Sequence, residues 1–327
     1  MLDPIIMGVI IYASMLILLC IGFSLTYMLE RFPNFAHTSL ASIGTMLTYS
    51  MVRLHGFNPY LSCPLISLIG GCLGVIIYIL VIRPLKRAGS GGIMLSFAMF
   101  ALSIILNAIL YIYSYWILMT YGFRAGGFIL RAYDCQLWGY PAVLFAAPTI
   151  SLVLVSSLHH FLTRVRFGIA IKATVENPEL AQSLGVNILH VHLASWFLTG
   201  ATSALSGAVL SLWSPARLDR SDQLLMSVMA GSVLGGLDSL YGAIAGGLIL
   251  ALAQTILPGL LIRLFGVWIG GYEPLVPMLV IILTLIIEPD GLTGFLTGRE
   301  GTISGALESM RRRLSRPETE HQRDLKG

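Results

Sequence analysis

The chain has 327 residues, 56% of them hydrophobic and only 11% charged, with a mean hydropathy of +0.83 and a formal net charge of +4. A soluble domain carries about 25% charged residues, so this composition excludes a water-soluble globular protein. The small basic excess lies mostly in the C-terminal tail and is no nucleic-acid signal.

Several apolar runs reach about 20 residues, the length that carries an α-helix across a hydrocarbon core. They are far too long for outer-membrane strands of about 10 residues. The expected fold is an all-α polytopic membrane protein. Residues 4–29 form the first span, opened by Pro4 and closed by Glu30 and Arg31. Its first residues, MLDPI, lack the cationic region of a cleavable leader. Pro33 and Asn34 then break the helix, and a shorter one starts at His37 and runs to about Val52. Ala36, Ala41, Ser42 and Gly44 suit it to close packing rather than to lipid on all sides. Asn34 and His37 lie three apart at this break, so their side chains can approach each other. Two readings stand: they shape a gate or path, or Asn34 caps free N–H groups while His37 sits in a helix contact.

Residues 61–82 are the third span, with Gly70, Gly71 and Gly74 on it; IRPLKR follows. Residues 92–115 are the fourth, and 116–139 read as an interfacial loop with Tyr and Trp anchors. Spans at 140–162 and 189–213 flank a polar stretch, 163–192. Within it Asn177 can cap a helix and Pro178 suits the first helical position. Gly185 ends that helix. A short helix outside the bilayer, held between two spans, is either a docking surface for another protein or a connector that stays soluble.

Residues 224–259 are divided near Asp238 by Gly235, Gly236, Gly242, Gly246 and Gly247. The segment is either two short spans or a re-entrant pair, giving about seven crossings in the second case and about nine in the first. Broken backbone at membrane depth is tolerated only against protein or water, which favours a path lined partly by residues 231–247; tight packing against a neighbouring span is the other use. Asp238 either lines that path or makes a cytoplasmic turn with Ser239. A last span runs from Glu273 to about Ile287. The tail, 297–327, is charged and expected to be disordered.

Arg31, Arg83, Lys86, Arg87, Arg164, Arg166 and Lys172 fall on one face with seven more cations in the tail, fourteen of the chain's 20. The positive-inside rule makes this face cytoplasmic. The chain is then a multi-pass protein of the cell inner membrane, with its N-terminus outside and its C-terminus inside. Cys20, Cys63, Cys72 and Cys135 lack zinc-site spacing, and most read as buried thiols; a Cys63–Cys135 pair near the outer face is an alternative. No P-loop, catalytic constellation or cofactor motif is present, and His190 and His192 point apart on a helix. No metal site is expected.

Four motifs, in this order, carry a family likeness: PNFAH (33–37), IRPLKR (82–87), RFGIAIKATVENPELAQSLGV (166–186) with SALSGAVLSL (203–212), and GGLDSLYGAIAGG (235–247) with EPDGLTG (288–294). Over residues 5–296 the chain resembles the permease subunits of branched-chain amino-acid ABC importers, the LivH kind most closely. It departs from that pattern at Asp238-Ser239, where the family often has Gly-Ser, and at Glu288-Pro289, where it usually has Arg-Pro. The resemblance implies a transmembrane permease domain over 1–296 with a cytoplasmic coupling loop at 163–188. Glu176, Asn177, Pro178, Glu179, Ala181, Leu184 and Gly185 would form the ATPase contact. It implies two permease subunits, usually different paralogues, two ATP-binding subunits that hold the ATP, and an extracytoplasmic binding protein. A urea or short-amide permease of the same family and a passive channel are the alternatives.

Overall fold

The protein is described by a computed structural model at residues 3–123, 125, 127–217, 220–266, 274–288 and 291–296. Its apolar runs are helices. In chain order they are α1 (Pro4–Glu30), α2 (His37–Tyr49, prolonged by a π-helical turn at Ser50–Leu54) and α3 (Pro59–Ile77). A second π-helical turn, Tyr78–Ile82, leads α3 straight into α4 (Arg83–Arg87). Then come α5 (Gly92–Tyr121), α6 (Val143–Arg164), α7 (Arg166–Glu176), α8 (Pro178–Ser183), α9 (Ile188–Trp213), α10 (Arg220–Gly235), α11 (Leu240–Phe265), α12 (Leu275–Ile287) and α13 (Gly291–Leu296). Among the described residues, 7 helical stretches are long and apolar enough to cross a membrane.

The chemistry of the sequence sets the helix ends. Asp3 and Asn58 cap α1 and α3 through their side chains, each ahead of a proline at the first helical turn. Helix α5 overruns its expected end at 115 and stops at Gly122, which takes a left-handed φ of +70°. The Tyr- and Trp-rich run 111–121 is therefore helix, and the loop is confined to 122–142. That loop holds a short hairpin, β2 (Gln136–Leu137) with β3 (Tyr140–Pro141), and a second ladder ties it to the residues after α9: β1 (Gly127–Phe128) pairs antiparallel with β4 (Ala216–Arg217). Asp134 pins it down: its carboxylate accepts from the Tyr60 hydroxyl at 2.5 Å and from the Val143 amide at 3.1 Å, which caps α6. All four cysteines are free; Cys20 and Cys63 are buried, Cys72 and Cys135 exposed.

Helix ends sort to two faces. At one, Glu30 closing α1, Lys86 on α4 and His192 near the start of α9 meet, and Arg31 reaches Asp238 between α10 and α11. At the other, Arg53 meets Tyr133, and Arg131 lies over the Trp213 ring. Two further helices, α2 and α10, lie between these faces and are shorter than a full span. Helix α2 starts deep: the His37 ring bonds the carbonyl of Leu19, halfway along α1. Residues 31–36 therefore lead from the face to mid-depth before the helix begins. The 224–259 segment is two antiparallel helices, α10 and α11.

The core is made by close approach of α9 to α1, α2 and α3. A Cβ on Gly44 would collide with the backbone of Ala204, and one on Gly207 with that of Ala41. Gly70 and Gly74 meet Gly200 and Trp196 in the same way. Hydroxyls lock the seam. The Ser203 hydroxyl donates to the His37 carbonyl at 2.6 Å, Thr199 to the Gly22 carbonyl at 2.9 Å, and Thr26 and Thr199 share a bond of 2.7 Å. Small residues and short hydroxyls are how helices associate where lipid removes the hydrophobic drive.

Candidate functional site

The polar stretch after α6 is a helical hairpin on the face that gathers Arg31, Lys86 and Asp238. Helix α6 ends at Val165, whose extended backbone (φ −88°, ψ 132°) opens α7. Gly168 lets α7 fold back against the Phe161 carbonyl and Leu162. Ile171, Leu162 and Val191 form a small buried cluster, flanked by Val186, Leu29 and Leu240, that seats the hairpin on the helix bundle. Asn177 then caps α8: its side-chain oxygen accepts from the Leu180 amide at 3.0 Å, with Pro178 in the first turn. Ala181 turns inward at 2% exposure. Gly185 takes φ +87° and donates to the Gln182 carbonyl, while Val186 donates to that of Ala181; these bonds close the helix end. Glu176, Glu179, Leu180 and Leu184 all face outward, and Leu184 is 76% exposed. Two exposed leucines on a polar hairpin leave an apolar spot rimmed by acids.

At the α1–α2 break Asn34 is buried and its Oδ1 accepts from the Ala36 amide at 3.1 Å. His37 is fully buried. Because its Nε2 faces a carbonyl, that nitrogen carries the proton and Nδ1 is left with a lone pair. Neither the Nδ2 of Asn34 nor the Nδ1 of His37 has a protein partner among the described residues. The structure thus brings a free donor and a free acceptor to the start of α2.

The glycines of the divided segment lie where backbones meet. Gly235 faces the Gly242 carbonyl, Gly246 faces that of Gly231, and Gly247 lies against Ile17 and Cys20 of α1. Gly236 takes φ +100° in the turn and meets Gly291 at the start of α13. Asp238 stands in that turn, its side chain 67% exposed and paired with Arg31 at 2.5 Å. Ser239 caps α11 by accepting from the Gly242 amide.

One constellation was not foreseen from sequence. The Glu30 carboxylate, fully buried, pairs with Lys86 and accepts from His192 Nδ1 at 2.8 Å and Trp196 Nε1 at 2.9 Å. Tyr78 stacks on the His192 ring, centroids 5.5 Å apart. The available signal was an acid closing one span, a Lys closing another and a His beginning a third on the same face. Among the described residues no group of His, Cys, Asp or Glu could hold a metal ion.

A bundle of long apolar helices, a cationic face and a capped helical hairpin between two spans define a polytopic helical membrane protein. The chain belongs to the family described as branched-chain amino acid transport system / permease component, which it matches over residues 5–287. It is 32% identical over 287 residues to a probable branched-chain amino acid transport permease protein LivH of Methanocaldococcus jannaschii, covering 88% of this chain and 91% of the relative. It is 25% identical over 292 residues to the high-affinity branched-chain amino acid transport system permease protein BraD of Pseudomonas aeruginosa, covering 85% and 91%. Among solved structures, PsaBC from Streptococcus pneumoniae in complex with Fab aligns over 90% of this chain and 95% of that one, at 13% identity and a TM-score of 0.48.

Proposed function

We propose that this chain is the membrane-spanning subunit of an ATP-driven importer that moves branched-chain amino acids into the cytoplasm. The observation that carries this reading is the family match over 5–287, with relatives named for that transport. In this reading the partners are a paralogous permease, two ATP-binding subunits and an extracytoplasmic binding protein. ATP stays on the ATP-binding subunits. The α7–α8 hairpin is the cytoplasmic coupling loop: α8 is capped, apolar at its exposed tip, and seated on the bundle by Ile171, Val186 and Val191. The tail, 297–327, lies outside the described residues; we place it in the cytoplasm, on the face that carries most of the cations.

The experiment is reconstitution of the complete complex in proteoliposomes with radiolabelled leucine. Uptake is expected only with ATP inside the compartment that holds the ATP-binding subunits and binding protein on the other side. Full-rate uptake without ATP or without the partners would make the chain a passive channel.

The start of α2 is proposed as part of the path or its gate. Buried polar atoms without partners are costly, of order 1–3 kcal/mol each, so Asn34 Nδ2 and His37 Nδ1 suit a site that something polar visits. Replacing His37 with Ala is expected to cut uptake per assembled complex roughly tenfold, a loss of about 1.4 kcal/mol. Lower protein yield with unchanged uptake per complex would return His37 to a packing role.

A further inference from the structure

We propose that Glu30 is a positioning residue that carries the movement of the coupling helix from the base of α9 into α1, and through Arg31–Asp238 to the α10–α11 turn; this rests on the importer reading above.

The geometry lays out a route in contact at every step. Helix α8 ends at Ser183, and α9 begins only a few residues later at Ile188. His192 and Trp196 are one turn apart near the start of α9, and both donate to the same oxygen of Glu30, Oε1. Lys86 holds the other oxygen from α4. One carboxylate therefore ties three elements together: the base of the helix that follows the coupling segment, the end of α1, and the end of the α3–α4 rod. The tie sits in a dry place, since the Glu30 side chain has no exposed surface and that of His192 is 12% exposed. In such a place an ionic, hydrogen-bonded contact is strong and directional, and breaking one partner leaves a buried charge uncompensated. A displacement of the α9 base must drag α1 with it or open this cluster.

The next residue continues the route. Arg31 turns out of α1 with a left-handed φ of 58° and meets Asp238. Asp238 sits in the turn whose flanking Gly236 has φ +100° and touches Gly291 of α13. Motion of the α1 end is thus delivered to the hinge between α10 and α11. The Arg31–Asp238 pair is exposed and on its own stabilises little. Its placement directly behind a rigid buried tie is what gives it a part in transmission. Further up the bundle, α9 meets α2 and α3 backbone to backbone and α1 through the Thr199 and Thr202 hydroxyls, so those helices have little freedom to slip past one another. The cytoplasmic ends are where relative movement is possible.

The test uses the complete complex in proteoliposomes, reading leucine moved per ATP hydrolysed. Glu30→Gln keeps the shape and removes the charge. It is expected to lower the ratio about tenfold, within the range found for substitutions along a contact route, while ATP hydrolysis by the assembled complex persists. Asp238→Asn is expected to lower the ratio by less. Because the two lie in series, the double variant should be no worse than Glu30→Gln alone. An unchanged ratio in assembled Glu30→Gln, or a double variant whose loss is the product of the single losses, would overturn the proposal. Should Glu30→Gln not assemble, Lys86→Gln carries the test from the open side of the cluster, where Lys86 is 32% exposed. A fall of about threefold is expected there, and an unchanged ratio counts against the proposal. A wild-type complex that takes up no leucine on ATP would overturn the importer reading itself, and the proposal with it, before any variant is compared.

Discussion

Gly44→Val is expected to leave almost no folded protein in the membrane. At this position a Cβ would land on the carbonyl oxygen, carbonyl carbon and Cα of Ala204 at once. None of these is the free end of a flexible side chain, so nothing can swing aside. Helices α2 and α9 would have to separate, which also breaks the matching contact of Gly207 with Ala41 and strains the Ser203–His37 bond. Overpacking a core costs about 1–3 kcal/mol where side chains can adjust, and a backbone clash belongs at or above the top of that range. Fluorescence-detected size-exclusion chromatography of a tagged chain measures the outcome. A monodisperse peak at wild-type yield would show that the α2–α9 seam has room the structure does not show. Gly91, with nothing within reach of a Cβ, is the control: its alanine variant should behave as wild type.

Leu184→Asp is expected to abolish stable binding of the ATP-binding subunits while leaving the permease folded. Leu184 is 76% exposed at the end of α8, beside Leu180 at 57%. Such exposure on a polar hairpin has no packing use inside this chain. In a docking surface an apolar anchor is worth about 2 kcal/mol or more when truncated, and a buried unpaired aspartate is worse, so affinity should fall about a hundredfold. Co-purification of the ATP-binding subunits with the tagged permease reads this directly. Wild-type recovery of those subunits would move the contact away from α8. The same protein should retain its thermal unfolding profile, since the substituted side chain touches little of the bundle.

Most of the helices were legible because hydropathy and punctuation agree. Pro4 and Asn177-Pro178 mark helix starts, and Gly185 marks an end. The α5 end was misplaced for a physical reason. Interfacial Tyr and Trp look like loop anchors by composition, yet on a helix they sit at the headgroup level without breaking it. Helix α8 was legible down to its cap, since capping is local chemistry. What could not be read were contacts between residues far apart in the chain. Glu30 closes a span, Lys86 belongs to a basic motif and His192 begins another span; nothing in their order says they meet. The glycines of α10 and α11 were visible as a pattern, but the carbonyls they face, on each other's helix, depend on register. His37 and Asn34 were singled out together, whereas the bond from His37 to Leu19 required knowing that α2 begins at mid-depth.

Helix α5 has 30 residues, about 45 Å of length, against a hydrocarbon layer of about 30 Å. The end that carries its aromatics is the outer one, where the exposed Tyr111, Tyr115, Trp116 and Tyr121 form a collar. Tilt alone rarely absorbs so large a difference, so the collar fixes how high the helix rides. Activity is therefore expected to vary with acyl chain length when the protein is reconstituted in lipids of different tail length. Lipids with short tails strand the collar in water, and long-tailed lipids receive it.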